Sequence, residues 1–156
     1  FDRGSIEIRI MDIQECPAAD LAIVNTVVQL LKALVEEKFC SLNVQMKMDT
    51  QMLSSMLDQI AIHGGQTRIE NSDYLAAFGL SSSLTAKEVW KHLLSKIPAN
   101  IYYDKKSLEI IHTILDNGSL AERIVRSLNE DYSLENIKIV YTRLSKCLSE
   151  NTMFKS

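Results

Sequence analysis

Ser5-Ile6-Glu7-Ile8-Arg9-Ile10-Met11-Asp12 leads almost directly into Pro17-Ala18-Ala19-Asp20-Leu21-Ala22. The first string alternates. Ile6, Ile8 and Ile10 share one side of a strand, and Ser5, Glu7, Arg9 and Met11 share the other, because successive side chains point to opposite faces. The isoleucine side is β-branched and fit to pack on a core. Glu7 and Arg9 stand two residues apart, roughly 6.5–7 Å along a strand. Two readings follow. In one, this is the solvated face of a half-buried strand with a weak ion pair. In the other, Glu7 holds a cation and Arg9 an anion. The second string opens a helix: Pro17 suits a first turn, where its missing N–H costs nothing. Asp20 suits the positive end of the helix dipole.

Outward from that stretch the chain reads as helical. Residues 18–39 form one long helix. Its polar stripe is Asn25, Gln29, Lys32 and Glu36, and nearly every other position is apolar, which predicts a central helix buried on several sides. At about six turns, with polar interruptions, it reads as too short to span a membrane. Residues 46–62 predict a second helix with Met52, Leu53, Met56, Leu57, Ile60 and Ala61 on one face. The methionine series Met48, Met52 and Met56 is expected to fill a core. Gly64-Gly65 ends that helix. Gln66–Ile69 reads as a short strand or loop, and Tyr74–Leu80 as one or two helical turns closed by Gly79.

The second half is punctuated by caps. Thr85-x-x-Glu88 and Ser119-x-x-Glu122 are capping boxes. Asp104 and Ser133 are candidate N-caps. Pro98 and Gly118 are stops. The inward residues expected are Val89, Trp90, Leu93, Leu94 and Ile97; Leu108, Ile111, Ile114 and Leu115; Ala121, Ile124, Val125 and Leu128; and Ile137, Val140, Tyr141, Leu144, Cys147 and Leu148. The tail from Asn151 is expected to fray.

The bulk numbers exclude several classes. With 156 residues the chain can bury a core. A net charge of −3 argues against nucleic acid. No unbroken run of 18 apolar residues argues for a membrane partner. The three cysteines, Cys16, Cys40 and Cys147, match no metal spacing and fit free thiols in a reducing, cytoplasmic setting. Cys16 precedes a helix N-terminus, where a thiolate would be favoured, but is expected to be a small buried residue. His63, His92 and His112 have no ligand partner at i+4. No phosphate-loop, nucleophile-elbow or dinucleotide motif is present. Arg123 and Arg126 follow a helix start and read as solvated or anion-binding.

The Glu7-x-Arg9-x-x-Asp12 strand, the short turn and the Ala/Leu-rich helix resemble the last catalytic strand of the glutamine-synthetase superfamily. The fuller string Ile6–Gln14 followed by Ala19-Asp20-Leu21-Ala22 is similar to the bacterial glutamate–cysteine ligase-like carboxylate–amine ligases. Gly118-x-x-Ala121-x-Arg123 is similar to the same branch. So is the aromatic-Gly-Leu ending at Phe78-Gly79-Leu80, except that Ala77 stands where many members have arginine.

The resemblance implies a fold class: mainly α with one N-terminal β-strand, the C-terminal helical part of an α+β glutamine-synthetase-like catalytic fold. Residues 1–15 would be a catalytic-sheet strand and turn, and 16–156 a helical substructure. Because a lone strand cannot form a sheet, the chain is expected to be a fragment that is inactive alone. Its strand edge is expected to pair with another chain or lie against the helices. The chemistry implied is ATP-dependent amide formation through an acyl phosphate. Glu7 would be a Mg²⁺ ligand, Arg9 the catalytic anion-holding residue and Arg123 a nucleotide-side contact. The implied small-molecule substrates are glutamate or a similar acid and an amino-acid amine, in a homo-oligomeric enzyme. The rival reading is a non-catalytic helical interaction or assembly domain, in which Glu7 and Arg9 are only a strand surface.

Overall fold

The computed structural model describes residues 4, 7–8, 11–97 and 104–156. Among them the chain is mainly α: α1 Pro17–Val35, α2 Leu42–Met46, α3 Thr50–His63, α4 Ser72–Ala77, α5 Ala86–Lys96, α6 Lys105–Asn117, α7 Leu120–Leu128 and α8 Leu134–Glu150. Two short strands, β1 Arg68–Ile69 and β2 Leu84–Thr85, pair antiparallel, Arg68 opposite Thr85 and Ile69 opposite Leu84. Of the strand expected over 5–12, residues 5, 6, 9 and 10 lie outside the described residues. Glu7, Ile8, Met11 and Asp12 belong to no strand.

The caps behave as local chemistry dictates. Thr85 and Ser119 each accept from the N3 amide while Glu88 and Glu122 reach back to the cap amide, so both capping boxes are closed. Asp104 accepts from the Ser107 amide and Ser133 from that of Asn136. Asp49, which the pattern did not single out, accepts from the amides of Gln51 and Met52 and starts α3. That cap makes α3 begin at Thr50, four residues later than the helix expected over 46–62, and α2 is a separate short helix before it. Ile97 is extended at the end of α5 (ψ 116°), as suits a residue before proline; Pro98 itself lies outside the described residues.

The long helix ends sooner than expected. Glu37 takes a left-handed conformation (φ 55°). The Lys38 amide donates to the Ala33 carbonyl at 2.9 Å and the Glu37 amide to that of Leu34 at 3.1 Å. This is the paired Schellman closure, here without the usual glycine.

Three small buried clusters hold the helices. Cys16, Ala19 and Ala22 meet Leu94, Ile97, Ile110 and Ile111 where α1 packs on α6. Ile69 and Leu75 meet Ala86, Val89 and Leu93 around the small sheet, with Met56 and Ile60 of α3 half-buried against them. Leu128, Val140 and Phe154 close the C-terminal end.

Several expected faces differ. α1 is not buried on several sides: its buried residues are Ala19, Ala22, Thr26, Gln29 and Ala33, while Leu21, Val24, Val28 and Val35 are exposed. α1 meets α6 through Ala19 and Ala22, with Ile23 and Leu30 half-buried beside them. Gln29, expected on a solvated stripe, faces inward. By length and composition α1 does meet the requirement for crossing a membrane, with a mean hydropathy of 1.6 over its best window; core helices of soluble proteins meet it too. In α7 the buried residues are Arg123 and Leu128, and Ala121 and Val125 are exposed. In α8 Tyr141 and Leu148 are exposed. The C-terminal tail is docked rather than frayed: Phe154 is 2% exposed, and the Arg143 guanidinium lies 4.9 Å from its ring centroid.

Candidate functional site

The segment before α1 is fixed by local hydrogen bonds. The Gln14 amide donates to Asp20 Oδ1 at 2.9 Å, and Gln14 Nε2 donates to the Asp12 carbonyl at 2.9 Å. Asp20, on the first turn of α1, is thus the carboxylate that holds the turn. Asp12 contributes to the turn only through its carbonyl. Glu7 is exposed; Arg9 lies outside the described residues. Cys16 is the N-cap of α1 and is fully buried. Burial pushes its thiol up, outweighing the Ala19 and Ala18 amides, which favour the thiolate.

One residue further out sits a buried carboxylate with three hydrogen bonds. Glu15 is buried, and its carboxylate accepts from Arg123 Nη1 at 2.5 Å, Arg123 Nη2 at 3.4 Å and the Phe154 amide at 3.2 Å. Arg123, 1% exposed, also donates through Nη1 to the Phe154 carbonyl at 2.9 Å and through Nε to the Gly118 carbonyl at 3.1 Å. A buried charge survives only when paired and hydrogen-bonded, and both members meet that condition. The pair joins three remote pieces of chain: the turn before α1, the start of α7 and the C-terminal tail. With Arg123 so engaged, a nucleotide-side contact would require the pair to open.

Gly118 completes this corner. Its φ of 89° is left-handed, and a Cβ there would lie 2.8 Å from Glu122 Oε2, the oxygen that closes the capping box. Both facts select glycine. Beside it is an open cleft of about 310 Å³ bordered by Gly64, Lys87, Trp90, Asp116, Glu122 and Arg126. Its charges are mutually matched. Asp116 receives Lys91 at 2.6 Å and Lys87 at 3.6 Å, and Lys91 beside it holds the Asp116 carboxyl below the usual range. Arg126 donates to the Asn117 carbonyl and to Ser156 Oγ.

Among the described residues no three His, Cys, Asp or Glu side chains gather as a metal site. Mg²⁺ needs about six oxygens in octahedral array, usually with one or two carboxylates. Among the described residues before α1, Glu7 and Asp12 offer carboxylates, and no further His, Cys, Asp or Glu gathers with them as a metal site. His92 Nε2 lies 2.9 Å from the Phe78 carbonyl, a structural bond. The three cysteines are free thiols.

An uncharacterized protein of Archaeoglobus fulgidus is 25% identical over 155 residues. The match covers 99% of this chain and 34% of the archaeal protein. The chain therefore spans about a third of the length of the curated relative it matches. No protein-family model matches the chain, and no solved structure does.

Of the residues singled out from the sequence, Arg123 and Gly118 meet at one corner, and Glu7 lies eight positions before the Glu15 that joins it. Glu15 and Phe154 were not foreseen. No local pattern marks a carboxylate whose partner is 108 positions away.

Proposed function

We propose that this chain is part of a longer ATP-dependent carboxylate–amine ligase, similar to glutamate–cysteine ligases. In this reading it supplies Glu7 and Arg9 on one segment, together with the helical block that holds that segment in place. One observation carries the reading. The two stretches that resemble the ligase branch, residues 5–22 and Gly118–Arg123, meet in the buried Glu15–Arg123 pair. Such a pair is a costly way to tie down the segment before α1 unless the position of that segment matters. Arg123 then acts by positioning: it fixes Glu15, and through the turn it limits where Glu7 and Arg9 can lie. Arg9 offers a planar fork suited to a carboxylate or phosphate, and Glu7 offers one metal-ligating carboxylate. ATP and Mg²⁺ would supply activation of the acid, and the rest of their site would come from outside this chain.

The test is ADP release by the full-length protein with glutamate, Mg²⁺ and a panel of amino-acid acceptors. Glu7→Ala and Arg9→Ala are expected to lose about 10²-fold or more, the scale of a deleted transition-state contact. Normal turnover in both folded variants would refute the site. The second reading, a helical assembly domain without catalysis, is favoured by the apolar side chains that α1 turns to solvent. An absence of ligase turnover with every acceptor in the panel would favour it.

A further inference from the structure

The two opposite faces of α1 are inverted relative to an ordinary surface helix. Positions 19, 22, 26, 29 and 33 step by 3, 4, 3 and 4, and they are the buried ones: Ala, Ala, Thr, Gln and Ala. Positions 21, 24, 28, 31 and 35 repeat the same steps. Residues two apart lie about 200° around a helix, so this second row is on the far side. It reads Leu21, Val24, Val28, Leu31 and Val35. Leu21 is 62% exposed, Val24 50%, Val28 40% and Val35 82%. A helix normally buries its more apolar stripe; this one buries the smaller and more polar row.

The apolar surface does not stop at α1. Ile8, Met11 and Ile13 are exposed, and together with Ile23 and Val24 they border a shallow depression of about 200 Å³ beside the start of the helix. The face thus runs from the segment carrying Glu7 to the end of α1. A continuous apolar surface of this kind marks an interaction site.

We infer that this face is covered by the remainder of a longer polypeptide to which the chain belongs, docked along Leu21, Val24, Val28, Leu31 and Val35. The length relation supplies the occupant: about two thirds of the archaeal relative lies outside the match. Continuity supplies the place, because the exposed Ile8, Met11 and Ile13 before α1 extend the same apolar face. A lipid surface fits less well. Membrane-surface helices carry a cationic polar flank, whereas Asp12 and Asp20 lie at one end of this face and Lys32 is the one basic residue along α1. The inference rests on the longer-protein part of the functional proposal and not on its chemistry.

The test compares thiol reactivity at Leu21→Cys and Val28→Cys in two samples: the full-length protein and the 156-residue chain alone. Cys40 and Cys147 serve as internal references, and circular dichroism checks that each variant folds. In the full-length protein both new thiols should react about tenfold or more slowly than in the chain alone, because a thiol in an interface reacts only through local opening. Equal reactivity in the two samples overturns the inference. So does protection in the chain alone accompanied by a dimer mass in light scattering, which would make a second copy the occupant. Protection in the chain alone that appears only with anionic phosphatidylglycerol vesicles overturns it in favour of a membrane. Loss of ligase turnover with protection retained would sink the chemical reading and leave the docking surface standing.

Discussion

Removing one member of the buried pair should be among the most damaging single changes available in this chain. In Arg123→Met the side chain keeps its apolar length but loses every donor. Glu15 is then left with the Phe154 amide alone at 3.2 Å, inside a site where the carboxylate is fully shielded from water. The Phe154 and Gly118 carbonyls lose their guanidinium partners as well. Breaking a buried pair by removing one partner typically costs about 3–5 kcal/mol, because a buried charge is left uncompensated. Against a whole-domain stability of about 5–15 kcal/mol, that is a large share of the total. The double change Glu15→Leu with Arg123→Met removes both charges and should recover most of the loss, since well-packed apolar replacements of buried pairs are often neutral. The assay is urea unfolding of the chain followed by far-ultraviolet circular dichroism, completed as a double-mutant cycle. If Arg123→Met does not fold, recovery of folding in the double variant reports the same coupling. A cost below about 1 kcal/mol for Arg123→Met, the level of a solvated ion pair, would refute the reasoning.

The docked tail predicts that Phe154→Ala lowers stability by about 3–5 kcal/mol, the cost of truncating a buried aromatic; a change within experimental error in the urea midpoint would mean the tail is not part of the core. Glu88 is held below the usual carboxylate range by the Thr85 amide and hydroxyl, Asp104 by the Ser107 amide and Asp131 by the Ser133 amide. A depressed folded value means stability that is fully present above the unfolded value and lost as pH falls through the folded one. The urea midpoint should therefore fall as pH drops below about 4, and Glu88→Gln should flatten part of that fall. Cys16, buried with its thiol pushed up, should resist iodoacetamide at pH 8 in the folded chain while Cys40 and Cys147 are modified; mass spectrometry locates the adducts, and rapid labelling of Cys16 would refute its burial.

Local chemistry was legible in the sequence because its causes span three or four residues. Thr85-x-x-Glu88, Ser119-x-x-Glu122, Asp104 and Ser133 each close a cap on their own backbone. Gly64, Gly79 and Gly118 adopt the positive φ that ends a helix or turn. Asp49 carries the same kind of signal, hidden by the apolar period that runs across it. The mainly helical class followed from these signals and the apolar period. What α1 packs with did not. Its sequence is apolar nearly all round, so periodicity could not select a face, and only the fold shows that Ala19 and Ala22 meet Leu94, Ile97, Ile110 and Ile111. Arg123, by its neighbours alone, reads as solvated or anion-binding. Only the tertiary fold brings Glu15 and Phe154 beside it, from 108 and 31 positions away. Short-range hydrogen bonds write themselves into adjacent residues. A buried charge pair depends on two distant segments arriving together, and no local pattern encodes that meeting.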